Sequence, residues 1–182
     1  MKIEIRADGT HISGYVNVPE KKSNPICTKT HGKVIETIEP GTFQRAIDRA
    51  RNIRLTVDHG SDTYASTEDG TLTIYEDQIG LYADAIISDP LLIKTAKDGK
   101  IRGWSFGFTV NRDTVDHPVG SAYPLRRVSD INLDHVSIVV NQYPVYNATS
   151  WELRDGCTSQ KSGRLMDANA EYRKRVEAAK SH

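Results

Sequence analysis

The chain has 182 residues, with 24 Lys+Arg against 24 Asp+Glu and a formal net charge of zero. That length fits one domain of ordinary size plus a tail. The charge balance excludes the basic footprint of a nucleic-acid binder and the acidic make-up of a solvating disordered chain. A hydrophobic content of 37% is low enough to leave part of the chain outside any core. No apolar run approaches the ~18–20 residues of a membrane span. Met1 to Gly14 alternates polar and apolar residues, which argues against a signal peptide. Cys27 and Cys157 show no CxxC spacing and read as free thiols in a reducing compartment.

In chain order, Lys2–Arg6 and His11–Val18 read as strands joined by a turn at Ala7-Asp8-Gly9-Thr10. A polar loop from Pro19 to Gly32 leads to a strand over Val34–Ile38. Pro40-Gly41-Thr42 opens a helix with Thr42 as the expected N-cap, and Phe43, Ala46, Ile47 and Ala50 share one face. Ile53, Leu55 and Val57 then alternate with Arg54, Thr56 and Asp58, in a period that runs into His59. Leu72–Tyr75 and Leu81–Ile87 flank a hairpin connection over Glu76–Gly80. A second helix begins at Asp89 and Pro90, turns Leu91, Leu92, Ile93 and Ala96 inward, and stops at Gly99. Ile101–Val110 and Leu133–Val140 are the strongest strand signals, with a weaker one over Ala148–Leu153. From Asp155 the texture becomes charged and small, and Leu165, Ala168, Tyr172, Val176 and Ala179 are spaced for one face of a helix. Two regions follow: a domain over 1–154 and a tail over 155–182.

The segment Ile101–Val110 reads IRGWSFGFTV. As a strand it puts Arg102, Trp104, Phe106, Phe108 and Val110 on one face, and Ile101, Gly103, Ser105, Gly107 and Thr109 on the other. Three aromatics anchor one side, while the other is nearly stripped of bulk around a single hydroxyl. Glycine inside a strand often marks a close approach of another backbone, so Gly103 and Gly107 are substrate-binding candidates. A serine nucleophile needs a base within reach. Of the six histidines, His59 ends its alternating strand in phase with Leu55 and Val57, and His135 lies within a strand in phase with Leu133, Ser137 and Val139. Each histidine alone reads as structural; their combination with Ser105 points to catalysis.

The ordered set PGTFQRAI, LTVDHG, EDQIGLYADAII, IRGWSFGF and LDHVSIV resembles the prohead (capsid maturation) proteases of tailed bacteriophages, over roughly Ile12 to Tyr146. These are serine endopeptidases related in fold to the herpesvirus assembly proteases. The resemblance implies a mostly β, α+β fold: a closed antiparallel β-barrel flanked by helices. It assigns the nucleophile to Ser105 and the base to His59. The phage family writes the third member in a segment L-x-E-V-S. Here Leu133-Asp134-His135-Val136-Ser137 puts His135 at the glutamate position, as in the Ser-His-His arrangement of the herpesvirus relatives. A neutral His135 can orient His59 but supplies no negative charge, so modest turnover and a loss of activity at about pH 6–7 are expected. Asp134 and Asp58 are rival third members that strand alternation turns to the opposite face. Asn141, Gln142 and Tyr143 are the oxyanion candidates by analogy with the relatives. Arg126 and Arg127 are a further pair for charge stabilisation.

The implied substrates are scaffold and major capsid protein extensions, cut inside the prohead in the host cytoplasm or from a prophage-encoded copy, with self-cleavage besides. The tail would dock on scaffold or be a self-cleaved linker. The herpesvirus relatives imply a homodimer. No nucleic acid, membrane, metal or cofactor is called for. Two other readings stand beside this one: a metal-dependent hydrolase built on His59, His135 and an aspartate, and a non-catalytic capsid-assembly or scaffold-binding module on the same fold.

Overall fold

The computed structural model describes residues 2–6 and 9–141. The Ala148–Leu153 strand, the tail helix, Gln142 and Tyr143 lie outside the described residues. Twelve elements follow in order: β1 Lys2–Arg6, β2 Gly9–Asn17, β3 Ile26–Thr28, β4 Gly32–Ile38, α1 Thr42–Arg49, β5 Arg54–Val57, β6 Ala65–Ser66, β7 Leu72–Glu76, β8 Leu81–Ile87, α2 Pro90–Lys97, β9 Gly103–Asp116 and β10 Leu125–Val139. They form two sheets. One is antiparallel in the order β1-β2-β8-β7. The other runs β3-β4-β10-β5-β6, with β9 also paired to β10.

The mostly β, two-helix character agrees with the sequence reading, but the closed barrel is not what the strand pairing gives. Among the described residues neither sheet closes on itself. β10 organises the second sheet. Its first half pairs in parallel with β4, its second half in parallel with β5, and β9 runs antiparallel along it from Leu125 to Val139. A sequence period of two predicts such strands but not how they partner, because pairing is set by residues far apart in the chain.

The core fills the space between the sheets. Ile12 and Val16 of β2, Ala83, Ala85 and Ile87 of β8, Trp104 and Phe106 of β9, and Val136 and Ile138 of β10 are all buried there. Phe43 of α1 meets Phe106 edge-on at 5.2 Å, a geometry that aromatic quadrupoles favour. The expected helix face is therefore right, but the expected cap is not. Gly41 is the N-cap, with no side-chain bond of its own, and Thr42 is the first helical residue. The free amides at this end are met from β7: the Glu76 carboxylate accepts from Gly41 N at 2.8 Å and Gln44 N at 2.9 Å. A distant carboxylate does the work that local sequence had given to Thr42. At α2 the local signal holds, and Asp89 accepts from Leu92 N at 2.7 Å. Among the described residues no helix is long and apolar enough to cross a membrane.

Candidate active site

On the face of β10 turned away from the core, small and polar side chains line up in two rows across three strands. Gly107 of β9, His135 of β10 and Arg54 of β5 make one row; Ser105, Ser137 and Thr56 make the next. The opposite face carries Trp104, Phe106, Val136, Ile138, Leu55 and Val57 into the core. One strongly apolar face holds the sheet in place, and it fixes the position of the polar face behind it.

His59 reaches these rows through a strained turn. β5 ends at Val57, and both Asp58 (φ 48°) and His59 (φ 57°) then take the left-handed conformation. For residues with a Cβ this costs on the order of 1–3 kcal/mol each and persists only where the surroundings enforce it. Three bonds do so here. Asp58 N donates to Ile138 O at 2.9 Å, Gly60 N donates to Val57 O at 2.8 Å, and His59 N donates to Ser137 Oγ at 3.0 Å. The buried Asp58 carboxylate accepts from Val140 N and Asn141 Nδ2, each at 2.8 Å. His59 is thus not in phase with Leu55 and Val57, as alternation had suggested. The turn folds it onto the other face, above Ser137.

There the imidazole bridges the two rows. Its Nε2 lies 2.7 Å from Ser105 Oγ, and its Nδ1 lies 2.8 Å from His135 Nε2. The two rings stand at 75° with centroids 5.1 Å apart. His135 Nδ1 in turn lies 2.7 Å from Asp134 Oδ2. Strict alternation had sent Asp134 to the far face, but β10 bulges at this point: Leu133 pairs with Phe108 and His135 with Gly107, leaving Asp134 as the extra residue. A bulge re-aims side chains in this way. Arg54 Nη2 also donates to Asp134 Oδ2, at 3.2 Å. The hydrogen bond from His135 holds the Asp134 carboxyl below its ordinary value, and the Arg54 guanidinium adds to this. Ser105 is fully buried and His59 and His135 are half-buried, so the Ser105–His59–His135 contacts are partly sheltered from water, while Asp134 at the outer end is exposed.

A hydroxyl in contact with an imidazole, oriented by a second ring, is the arrangement that activates serine for attack on an acyl carbon. A family profile described as caudovirus prohead serine protease matches residues 1–163. The chain belongs to that family. No curated protein and no solved structure matches it. This prohead protease is accordingly a serine peptidase of viral capsid maturation.

Other residues singled out in the sequence sit differently in the protease. A Cβ built on Gly107 would fall 2.2 Å from His135 Cε1. The space over this glycine is therefore taken by the His135 ring and is not left for a substrate backbone. Gly103 opens β9 opposite Val139. The Asn141 amides are committed to Asp58, the backbone N–H at 3.3 Å from both carboxylate oxygens. Arg126 and Arg127 are far from Ser105. Arg126 pairs with Val115 where Ser105 pairs with Ser137, which is roughly 30 Å along the ribbon. Arg126 is bound instead to Glu36 and Asp113, and Arg127 to Asp116. Two roles escaped sequence reasoning: Ser137 anchors the His59 amide, and Asp58, weighed only as a rival third member, ties the His59 turn to the end of β10. The only available signal for Ser137 was its phase with His135. Asp58 acts by hydrogen bonds that no local pattern announces.

Proposed function

We propose that this prohead protease is an endopeptidase in which Ser105 is the nucleophile, His59 the general base and then acid, and His135 the orienting third member. The observation that carries the reading is the 2.7 Å contact between Ser105 Oγ and His59 Nε2, backed by the 2.8 Å contact from His59 Nδ1 to His135 Nε2. Ser105 Oγ attacks the scissile carbonyl carbon while its proton passes to His59 Nε2. The C–N bond of the tetrahedral intermediate then breaks as His59 returns the proton to the leaving amine. Water repeats the sequence on the acyl-enzyme, releasing the acid and restoring Ser105. With the Asn141 amides committed to Asp58, the backbone amides of Gln142 and Tyr143 are the proposed oxyanion donors. Since Ser105 is fully buried, a peptide has to displace its cover on binding.

The substrates are extensions of scaffold and capsid proteins within the immature shell, and the chain itself, with the 155–182 tail as a docking element or processed linker. The Ser-His-His order also supports kinship with the herpesvirus assembly proteases. A metal-dependent hydrolase is less well supported. Two nitrogens 2.8 Å apart share a proton, whereas two ligands at ~2.0–2.1 Å from one zinc in tetrahedral geometry stand more than 3 Å apart. Incubation with the cognate shell proteins tests the proposal. The wild-type protein should cleave them in the presence of chelator, and Ser105→Ala should not. Cleavage by Ser105→Ala at the wild-type rate would end the serine assignment, and cleavage by neither protein would favour the non-catalytic module.

A further inference from the structure

The His59–His135 contact has an ambiguity that a carboxylate triad does not. Each neutral imidazole carries one N–H and one lone pair, and either ring can be the donor. If His135 Nε2 holds its proton, His59 Nδ1 must accept, and the His59 proton then sits on Nε2. In that state His59 cannot take the proton of Ser105. The productive state needs the reverse polarity: His59 Nδ1–H donating to a bare His135 Nε2, with His135 protonated on Nδ1.

We propose that Asp134 is a positioning residue that selects this productive tautomer and places a negative charge at the end of a Ser105–His59–His135–Asp134 chain. An ionised carboxylate only accepts, so the 2.7 Å contact at Asp134 Oδ2 requires the proton on His135 Nδ1. That fixes His135 Nε2 as acceptor, His59 Nδ1 as donor, and His59 Nε2 as the lone pair facing Ser105 Oγ. One carboxylate thereby sets the direction of three hydrogen bonds. The bulge at Asp134 is what makes this reachable from the next residue in sequence. The same charge stabilises the imidazolium formed when Ser105 loses its proton. Among the described residues, the titratable and charged groups facing His135 are His59 from the turn after β5, Asp134 beside it and, through Asp134, Arg54 of β5; β9 presents Gly107 and the Ser105 hydroxyl. Arg54 shares the accepting oxygen and tempers the charge without removing it, since Asp134 stays ionised.

The inference rests on Ser105 and His59 as nucleophile and base. It is tested on the full chain by two readouts. Long-range 1H–15N correlation reads the imidazole tautomers directly. The wild type should show His59 and His135 each protonated on Nδ1, whereas Asp134→Asn, which can flip its amide to donate, should show a mixture. The second readout is the rate at which a fluorophosphonate ester phosphonylates the protein, followed against pH by intact mass. In that reaction Ser105 Oγ bonds to phosphorus, fluoride leaves, and the hydroxyl proton passes to His59. The carboxylate stands roughly 7 Å from the His59 ring at a partly exposed site, so losing it should slow the plateau about three- to tenfold. It should also move the acid limb down by about half a pH unit, because the protonated pair loses a stabilising charge. Asp134→Glu should restore the limb. An unchanged tautomer and an unchanged limb in Asp134→Asn would overturn the role of Asp134 while leaving Ser105 in place. A wild-type labelling rate in Ser105→Ala would overturn the underlying assignment instead.

Discussion

Gly107→Ala adds one methyl group directly beneath the His135 ring. The new Cβ would stand 2.2 Å from Cε1, 2.7 Å from Nε2 and 2.8 Å from Nδ1. Ordinary contact begins near ~3.5 Å, so the ring has to retreat by about 1 Å. It cannot do so freely, because both nitrogens are bonded, at 2.8 Å to His59 and 2.7 Å to Asp134. A shift of that size takes either contact past the reach of a hydrogen bond. Losing one bond to a group that becomes charged costs about 1.5–3 kcal/mol, which corresponds to a kcat about 10–150-fold lower. Overpacking adds about 1–3 kcal/mol of instability, which in a domain of this size lowers Tm by only a few degrees per kcal/mol. Cleavage of the shell proteins measures the rate, and circular dichroism confirms the fold. The same substitution in a His135→Ala background meets no ring, so the double variant should be no slower than His135→Ala alone. A Gly107→Ala protein of wild-type rate, or equal losses in both backgrounds, would refute this reasoning.

Ser137→Ala removes the acceptor for the His59 amide and should cost about 1–3 kcal/mol, read as a lower urea midpoint together with a reduced kcat. Asp58→Ala frees three donors at the end of β10 and should destabilise the chain more than Asp58→Asn, which keeps an accepting oxygen for Val140 N. Phe106→Ala, under Phe43 in the core, should lose about 3–5 kcal/mol in chemical denaturation. The depressed Asp134 carboxyl adds stability that is present above its unfolded value and lost as pH falls through the lower folded one. Wild type should therefore melt a degree or two above Asp134→Asn from about pH 5 to 8, and the difference should vanish below the carboxylate range.

Local pattern was informative wherever the structure is locally determined. The strand at Leu81–Ile87, the capped start of α2 at Asp89, and the apolar face of α1 all follow from periodicity and one or two side chains. The aromatic face of the Trp104 strand was legible for the same reason, and it is what fixes the Ser105 face behind it. What could not be read depends on partners elsewhere in the chain. β3 pairs only through Ile26–Thr28, within a stretch whose polarity reads as loop. β10 begins at Leu125, eight residues before the alternation becomes apolar enough to notice, because Arg126 is buried by Glu36 and Asp113. Alternation also failed at the two points where the backbone leaves regular geometry, the left-handed pair Asp58-His59 and the bulge at Asp134. Both lie in the candidate site, and each turns a side chain away from the face that strand phase had given it.

The most direct measurement is the position of the adduct after reaction with a fluorophosphonate ester, mapped by peptide mass spectrometry. One phosphonate should be found, on Ser105, and it should be absent from His59→Ala handled in parallel. Labelling at another residue, or labelling of Ser105 undiminished without His59, would contradict the account.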